Sequence, residues 1–587
     1  MTPVLQPAER RPQGTERRRR LLRRALPIGA MAAVAFVAGA IAGAPSTDLD
    51  AAKRFVAAWE HGDYATMHEQ LTDESASRYS LSSFTAAYDD AAKAATVTRI
   101  ITGDVTRGQD ATGGTAAVVP VTLRTNAFGT LNGQLVMPLA GGRVAWDPTL
   151  VFPGLKTGET LVKQTRVPQR AAILASDGTA LAEGPASART SPLGASASAV
   201  AGAMGAPSAR ERTKLQHLGF PAGTEIGASG LERAFNDRLL GRPGGALLIQ
   251  GPTGSTVVAQ TSPVPGKPVH TTIDPNLQQA AVAALGSTFG GVAALDPSTG
   301  DVLAVAGIAF SSPQPPGSTF KLITTTAALD AGIVKTTDTF PYQSGTVVGG
   351  RQIANANGEV CGGTFVQAFA QSCNSVFVPL GPKLGSDRLV GMAEKYGFNS
   401  PPSLYDRAAL DAVGIPPSSL PQHIGTDLDL GVSAIGQGRV LATPLEMASV
   451  AQTIANGGKR EPTSIVKDGA LKPDQKPVRV TSTQTADTMR NLMIGVVTSG
   501  TGTAAAIPGI TVAGKTGTAE LGPATTVPPG TNPADVKQRV DAWFTCFAPA
   551  TDPKLVVAAL VTDASGAGGS IAAPIARQVL ASGLGVG

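Results

Sequence analysis

Apolar residues take up helical spacing soon after residue 50. In DLDAAKRFVAAWEHGDYATMHEQL, Phe55, Ala58 and Trp59 share one face, and Tyr64, Met67 and Leu71 form a second stripe. The pattern predicts two helices with Gly62 capping the first. The period then shortens to two. GTAAVVPVTLRT, GTLNGQLVMPLA and GRVAWDPTLVF read as strands. Helices followed by a curved sheet predict a small α+β domain ending near Pro153. His61 and His68 are assigned solvent-facing helix positions and no chemistry.

Between residues 163 and 270 the pattern weakens. QRAAILASDGTAL predicts a hairpin turning at Asp177-Gly178. EGPASARTSPLGASASAVAGAMGAPSARER is low in complexity and predicts a mobile or weakly ordered excursion. GLERAFNDRLLGRPGG predicts about three turns of helix stopped by Gly241. None of this makes an enzyme core, so the region is expected to be an elongated pedestal.

From about Thr271 the texture is that of a large α/β domain. IDPNLQQAAVAAL is an amphipathic helix, with Leu277, Ala280, Ala281, Ala284 and Leu285 aligned. GGVAALDPSTGDVLAVAG is a hairpin turning at Pro-Ser-Thr-Gly. DAWFTCFAPATDPKLVVAALV is a strand pair turning at Asp552-Pro553, and IAAPIARQVLASGL is a closing helix. Strands from both ends of this region, flanking a helical middle, predict one sheet assembled from distant parts of the chain. A chain of 587 residues is too long for one core in any case.

One apolar run has no periodicity. ALPIGAMAAVAFVAGAIAGA, Ala25 to Ala44, carries no charge and matches the ~20 residues that cross a bilayer as a helix. The net charge of +5 has its source beside this run. Residues 1–24 hold arginines 10, 11, 17–20, 23 and 24 against Glu9 and Glu16, and the rest of the chain is nearly neutral. Basic residues before the run put the N-terminus in the cytoplasm. Ala42-Gly43-Ala44 has the form of a signal-cleavage site, but Pro45 is a poor residue to follow a cut. The expectation is an uncleaved single-pass anchor, with residues 45–587 outside the membrane where disulfides persist. The near-neutral remainder gives no ground for nucleic-acid binding.

The three cysteines, Cys361, Cys373 and Cys546, and the five histidines have no zinc-ligand spacing. Neither a metal nor a cofactor is expected. Cys361 and Cys373 lie 12 positions apart, and a disulfide and two buried thiols remain equally open readings.

The chemistry begins at PPGSTFKLIT. Pro315, Pro316 and Gly317 cannot extend a helix backwards, while the segment from Ser318 runs helically forwards to Gly332. Ser318 then occupies the first turn, with Lys321 one turn on and on the same face. Phe320, Leu322 and Ile323 bury the helix, and burial lowers a lysine's pKa. A neutral amine can take a serine proton and create a nucleophile without histidine. An N-capping serine beside a surface lysine would spell the same letters. Two further motifs decide between them. QSCNSVF contains Ser372-Cys373-Asn374. ITVAGKTGTAE places Lys515 on a strand edge, followed by Thr516, Gly517 and Thr518, with Gly517 removing a side chain that would obstruct a substrate. Ser-x-x-Lys, Ser-x-Asn and Lys-Thr-Gly in that order are shared by β-lactamases and penicillin-binding proteins.

The chain resembles the class B penicillin-binding proteins, the peptidoglycan D,D-transpeptidases. Residues 47–157 resemble the NTF2-like (MecA-type) extension that some members carry, with WDPTLVFPGL at its end. QRAAILASDGTAL and GLERAFNDRL resemble the dimerisation or pedestal domain. IGQGRVLATPLEMA and DAWFTCFAP resemble segments bordering the cleft. The resemblance implies a multidomain α+β and α/β protein: basic tail 1–24, transmembrane anchor 25–44, NTF2-like domain 47–157, pedestal 163–270 and transpeptidase domain 271–583. It implies that Ser318 attacks a D-Ala-D-Ala stem peptide and is acylated, with Lys321 as base. Ser372 relays a proton to the leaving amine, and Asn374 binds the peptide backbone and Lys321. Lys515 supplies positive potential, and Thr516 and Thr518 hold the terminal carboxylate. The N–H groups of Ser318 and Thr518 form the oxyanion hole. β-Lactams become inhibitors, carboxypeptidase action a side reaction, and a SEDS-type glycosyltransferase a partner at the cell membrane. Cys373 departs from the usual motif, and GPATTVPPGTNPADVKQRV is an unusually long Pro/Gly-rich insertion.

Two alternatives stay open. A β-lactamase would need a base for deacylating water. The best candidate stretch is MAEKYGFNS, where Glu394 and Asn399 have one residue too many between them and Gly397 ends the helix. A non-catalytic penicillin-binding scaffold or sensor would need a cytoplasmic output domain, for which 24 residues are too few.

Overall fold

The computed structural model describes residues 49–522 and 539–586. The tail, the anchor and nearly all of the Pro/Gly-rich insertion lie outside these residues. No helix among the described residues is long and apolar enough to cross a membrane. The chain divides into two compact units, one holding residues 49–84, 102–120 and 134–150, the other holding 85–101, 121–133 and everything from Val151 onward.

The first unit carries the two predicted helices, Asp50–His61 and Tyr64–Glu69, and a third, Asp73–Arg78. Gly62 ends the first helix in the left-handed region, and its N–H reaches back to Ala58 O and Trp59 O, as the pattern predicted. Phe55, Trp59, Met67 and Phe84 are buried, and Phe84 lies 4.7 Å from the ring of Trp146. His61 is exposed, but His68 is half-buried. Its Nε2 lies 2.8 Å from Tyr79 O and its ring stands edge-on to Phe84, so it is a packing residue and not a solvent-facing one. Of the predicted strands, Thr115–Thr125 and Gly129–Ala140 lie in one five-stranded sheet, whereas only Arg143–Val144 of the third joins it and Pro148–Val151 is a 3₁₀ turn.

In the second unit, Thr160–Arg166, Gly244–Gly251 and Gly254–Thr261 form an antiparallel sheet with Gly244–Gly251 in the middle. The low-complexity stretch is ordered, contrary to its composition. It forms helices Ala195–Ala201 and Ala209–His217, the second opened by a capping box of Ser208 and Glu211. Small side chains are the reason: Ala197, Val200 and Ala201 bury fully in the main core. The stretch is also tied down by a charge cluster. Glu232 accepts from Arg170 and Arg189, each at 2.7 Å, and the three side chains are 1%, 2% and 9% exposed. The predicted three-turn helix is broken at Phe235 into Gly230–Ala234 and Asn236–Leu240. The Asn236 side chain there accepts from Arg170 and from Gly227 N.

The large domain is built on a five-stranded sheet in the order Val302–Gly307, Gly290–Leu295, Leu555–Ala564, Arg539–Ala548, Ala513–Gly522. Strands from the two ends of the region meet where Gly290–Leu295 pairs antiparallel with Leu555–Ala564. Alternation divides the sheet between two cores. Val292, Ala294, Phe544, Cys546, Val557 and Ala559 face helices Pro275–Leu285 and Ala572–Gly583. Ala293, Leu295, Trp543, Phe547, Val556 and Ala558 face the helical middle, where Pro444–Ala455 packs on the sheet.

Candidate active site

Ser318 sits in a 3₁₀ turn, Gly317–Phe320, that runs into the helix Lys321–Asp330, so the nucleophile candidate precedes the α-helix instead of opening it. Gly317 makes this turn possible. Its φ is +51°, its N–H donates to Gly436 O at 2.9 Å, and a Cβ on it would lie 2.7 Å from Thr518 O. The turn before the serine is thereby pressed against the backbone of the edge strand.

Gly517 has a different role from the one expected. A Cβ there would meet Pro316 O at 2.6 Å and Thr319 Cγ2 and Trp543 Cβ at 2.9 Å. The missing side chain admits the serine turn, not a substrate. Trp543 fixes the same turn from below by donating Nε1–H to Pro315 O at 2.8 Å.

The three motifs converge. Lys321 Nζ lies 2.7 Å from Ser372 O, 2.8 Å from Asn374 Oδ1 and 3.2 Å from Ser372 Oγ. Lys515 Nζ donates to the same Ser372 Oγ at 2.9 Å and to Thr516 O at 3.2 Å. Ser372 holds this position with φ +60°, a conformation unusual for a serine. Asn374 spends its other end on Ala354 O, to which Nδ2 donates at 2.9 Å. Cys373, between them, is buried and disulfide-bonded to Cys361, with Cα atoms 5.9 Å apart.

Both lysines are fully buried, and among the described residues no carboxylate bonds to either. Burial pushes Lys515 down to about 7. Burial, and then the nearby charge of Lys515, hold Lys321 well below the ordinary lysine value. The rings of Phe377 and Phe369 lie 5.1 and 5.7 Å from the two ammonium nitrogens. A neutral Lys321 has two hydrogens, which match Ser372 O and Asn374 Oδ1. Its lone pair is then left for a hydroxyl.

Thr516 and Thr518 lie on the edge strand. Gly568 N donates to Thr518 Oγ1 at 3.3 Å, leaving the hydroxyl hydrogen available. Thr516 Oγ1 lies 2.6 Å from Thr501 Oγ1, and Thr501 is itself fixed by its N–H to Ala370 O at 3.1 Å. Thr501 was not foreseen, because SGTGT has no signal that marks one threonine. The role of Gly436 was also missed. A Cβ there would strike Gly317 O, and the quoted IGQGRVL was the only hint. Glu394 lies on the exposed side of the helix Leu380–Tyr396, which Gly397 ends, and accepts from Asn399 at 3.3 Å.

A serine turn docked on an edge strand, with two desolvated lysines sharing a second serine, defines the class of serine acyltransferases that work without histidine. The comparisons with known proteins agree. A model of the penicillin binding protein transpeptidase domain matches residues 290–581, one of the penicillin-binding protein dimerisation domain matches 180–271, and one of the NTF2-like N-terminal transpeptidase domain matches 47–159. The peptidoglycan D,D-transpeptidase PbpA of Mycolicibacterium smegmatis is 36% identical over 385 residues, which span 54% of this chain and 73% of that protein. PbpA of Mycobacterium tuberculosis is 36% identical over 384 residues, with the same coverage. Among solved structures, the D,D-transpeptidase domain of a peptidoglycan glycosyltransferase from Eggerthella lenta aligns with a TM-score of 0.55 at 30% identity, covering 71% of this chain and 98% of that one. Penicillin-binding protein A from M. tuberculosis, solved as a ceftriaxone acyl-enzyme complex, aligns with a TM-score of 0.53 at 29% identity over the same shares. The chain therefore belongs to the penicillin-binding protein transpeptidase family.

Proposed function

We infer that this protein is a serine D-Ala-D-Ala transpeptidase that cross-links peptidoglycan stem peptides through an acyl-enzyme on Ser318 and is inhibited by β-lactams. The observation that carries this is the buried pair Lys321 and Lys515 on one hydroxyl, Ser372 Oγ.

Neutral Lys321 takes the Ser318 proton as Oγ attacks the penultimate D-Ala carbonyl. The oxyanion is held by the N–H groups of Ser318 and Thr518, each such donor contributing ~3 kcal/mol in other acyl-transfer enzymes. The close approach of Gly317 to Thr518 supports that pairing. As the C–N bond breaks, the proton on Lys321 passes through Ser372 to the leaving amine, and D-alanine departs. The acceptor amine then attacks the ester, giving its proton back along the same path. Lys515, Thr516 and Thr518 bind the terminal carboxylate, and Asn374 aligns the peptide backbone while holding Lys321.

The domain boundaries 47–157, 163–270 and 271–583 are proposed with this function, supported by the family matches. So are an anchor at 25–44, a cytoplasmic N-terminus, an extracytoplasmic catalytic domain and a SEDS-type glycosyltransferase partner. The apolar run and its arginine flank support the first two. A reporter fused after Gly587 should be active only outside the cytoplasm.

Labelling with a fluorescent penicillin tests the chemistry. The label should map to Ser318, be absent from Ser318→Ala with the fold intact, and persist for many minutes, because exposed Glu394 cannot hold a deacylating water. Label on another residue would refute the nucleophile. Product exceeding enzyme many-fold within that time would make the protein a β-lactamase.

A further inference from the structure

A second built cavity lies outside the cleft. The helix Pro444–Ala455, Gly397, residues 400–403 and residues 460–463 border about 170 Å³. No residue of the catalytic motifs lines it. The space exceeds the ~30 Å³ of one water several-fold.

Two opposite charges face this space. Glu446 is 7% exposed, and its Oε1 is buried with no hydrogen-bond partner. Arg460 makes neither an ion pair within 4.0 Å nor a side-chain hydrogen bond among the described residues. Yet the two converge on one point. A Cβ on Gly397 would strike Arg460 Nη1 and lie 2.7 Å from Glu446 Oε1. The third charge on the wall, Glu461, is already neutralised by Lys459 at 2.6 Å. The uncharged polar residues of the wall are Ser400, Ser403, Ser449, Thr463 and Gln475. A buried carboxyl oxygen without a partner implies a missing one.

The chemistry of that partner follows from the charges. A simple anion on Arg460 would meet Glu446. A simple cation on Glu446 would meet Arg460. A molecule with a carboxylate at one end and an ammonium at the other satisfies both, and the volume fits one of alanine size. We propose that this cavity binds a small zwitterionic amino acid, its carboxylate on Arg460 and its ammonium on Glu446. Burial lifts the Glu446 carboxyl to about 7 despite the pull of Arg460, and a bound ammonium would restore its ionised form. One candidate occupant is the D-alanine that transpeptidation releases, and only that link rests on the proposed function.

Ligand-observed NMR on the purified protein tests the site with five probes: glycine, L-alanine, D-alanine, acetate and methylamine. The three amino acids should bind at least roughly tenfold more tightly than either half-molecule. Glu446→Gln and Arg460→Gln should each weaken them by a similar factor, while Arg460→Lys, which keeps the charge, should retain binding. Penicillin labelling of Ser318 should proceed at the wild-type rate in all three variants, which also shows that they fold. A preference for D-alanine would tie the site to the reaction product, and equal binding of the three would assign a general amino-acid site. Failure of every amino acid to bind, equal binding by a half-molecule, or undiminished binding in both glutamine variants would overturn the proposal. Labelling of Ser318 is read separately, so loss of the transpeptidase reading would leave this result standing.

Discussion

Two clusters of buried cations, in the pedestal and in the cleft, are handled in opposite ways. Arg170 and Arg189 close on Glu232, and every member of that cluster has an opposite charge at 2.7 Å. Burial lowers Arg170, but the ordinary arginine value is so high that it stays charged at any physiological pH. Among the described residues, the hydrogen-bond partners of Lys321 and Lys515 are neutral oxygens, with aromatic rings beside them. There, no counter-charge among the described residues offsets desolvation, which holds Lys321 well below its ordinary value and brings Lys515 to about 7. Arginine with a carboxylate makes a strut. Lysine without one makes an acid–base group.

The contrast breaks most sharply at Lys321. Replacing it with methionine keeps the volume and removes the base, so acylation by penicillin should slow by ~10²–10⁴-fold with thermal stability held or raised. Stopped-flow acylation and a melting curve together check this. Glu232→Ala should do the reverse. An uncompensated buried pair of arginines should cost about 3–5 kcal/mol in denaturant unfolding, while the folded fraction acylates at the normal rate.

The pH profile sharpens the comparison further. Acylation needs Lys321 neutral and Lys515 charged. Both values are depressed, Lys321 well below its ordinary value and Lys515 to about 7, so the rate should rise with pH as Lys321 loses its proton and fall above about 7 as Lys515 loses its own. Lys515→Arg, which keeps its charge, should remove the falling limb, and a limb that survives would mean another group controls it. The smallest effect expected is at Thr501. Thr501→Val leaves Thr516 without its 2.6 Å partner and should slow acylation a few-fold, with the carboxylate-bearing ligand binding more weakly. An unchanged rate would make Thr501 a loop residue only.

The site was far more legible in the sequence than the pedestal. Ser318, Lys321, Ser372, Asn374, Lys515, Thr516 and Thr518 stand in three short motifs whose letters are constrained by chemistry, and hydrogen bonds join Lys321, Ser372, Asn374 and Lys515 across them. The glycines were harder to read. Gly517 was assigned to the substrate side because composition says that space is needed but not which group fills it. The stretch at 183–212 was expected to be mobile because small, repetitive residues carry no periodicity. Its order comes instead from packing against the main core and from Arg189 closing on Glu232, contacts between residues far apart in sequence. The helix that spacing alone would continue breaks at Phe235, and the Asn236 side chain just beyond it accepts from Arg170, a partner 66 residues away that spacing does not reveal.

The central sheet imposes an order of events on synthesis. The strand that joins the early hairpin to the rest of the sheet, Leu555–Ala564, is the last strand to be made. Ser318 thus leaves the ribosome roughly 10–50 seconds before the sheet that will hold Thr518 against it can close. Until then Lys515 and Thr518 lie on a strand whose path to the early hairpin runs through Arg539–Ala548 and the missing Leu555–Ala564. A chain truncated before Leu555 should therefore take up no β-lactam at Ser318, although all three motifs are present in it.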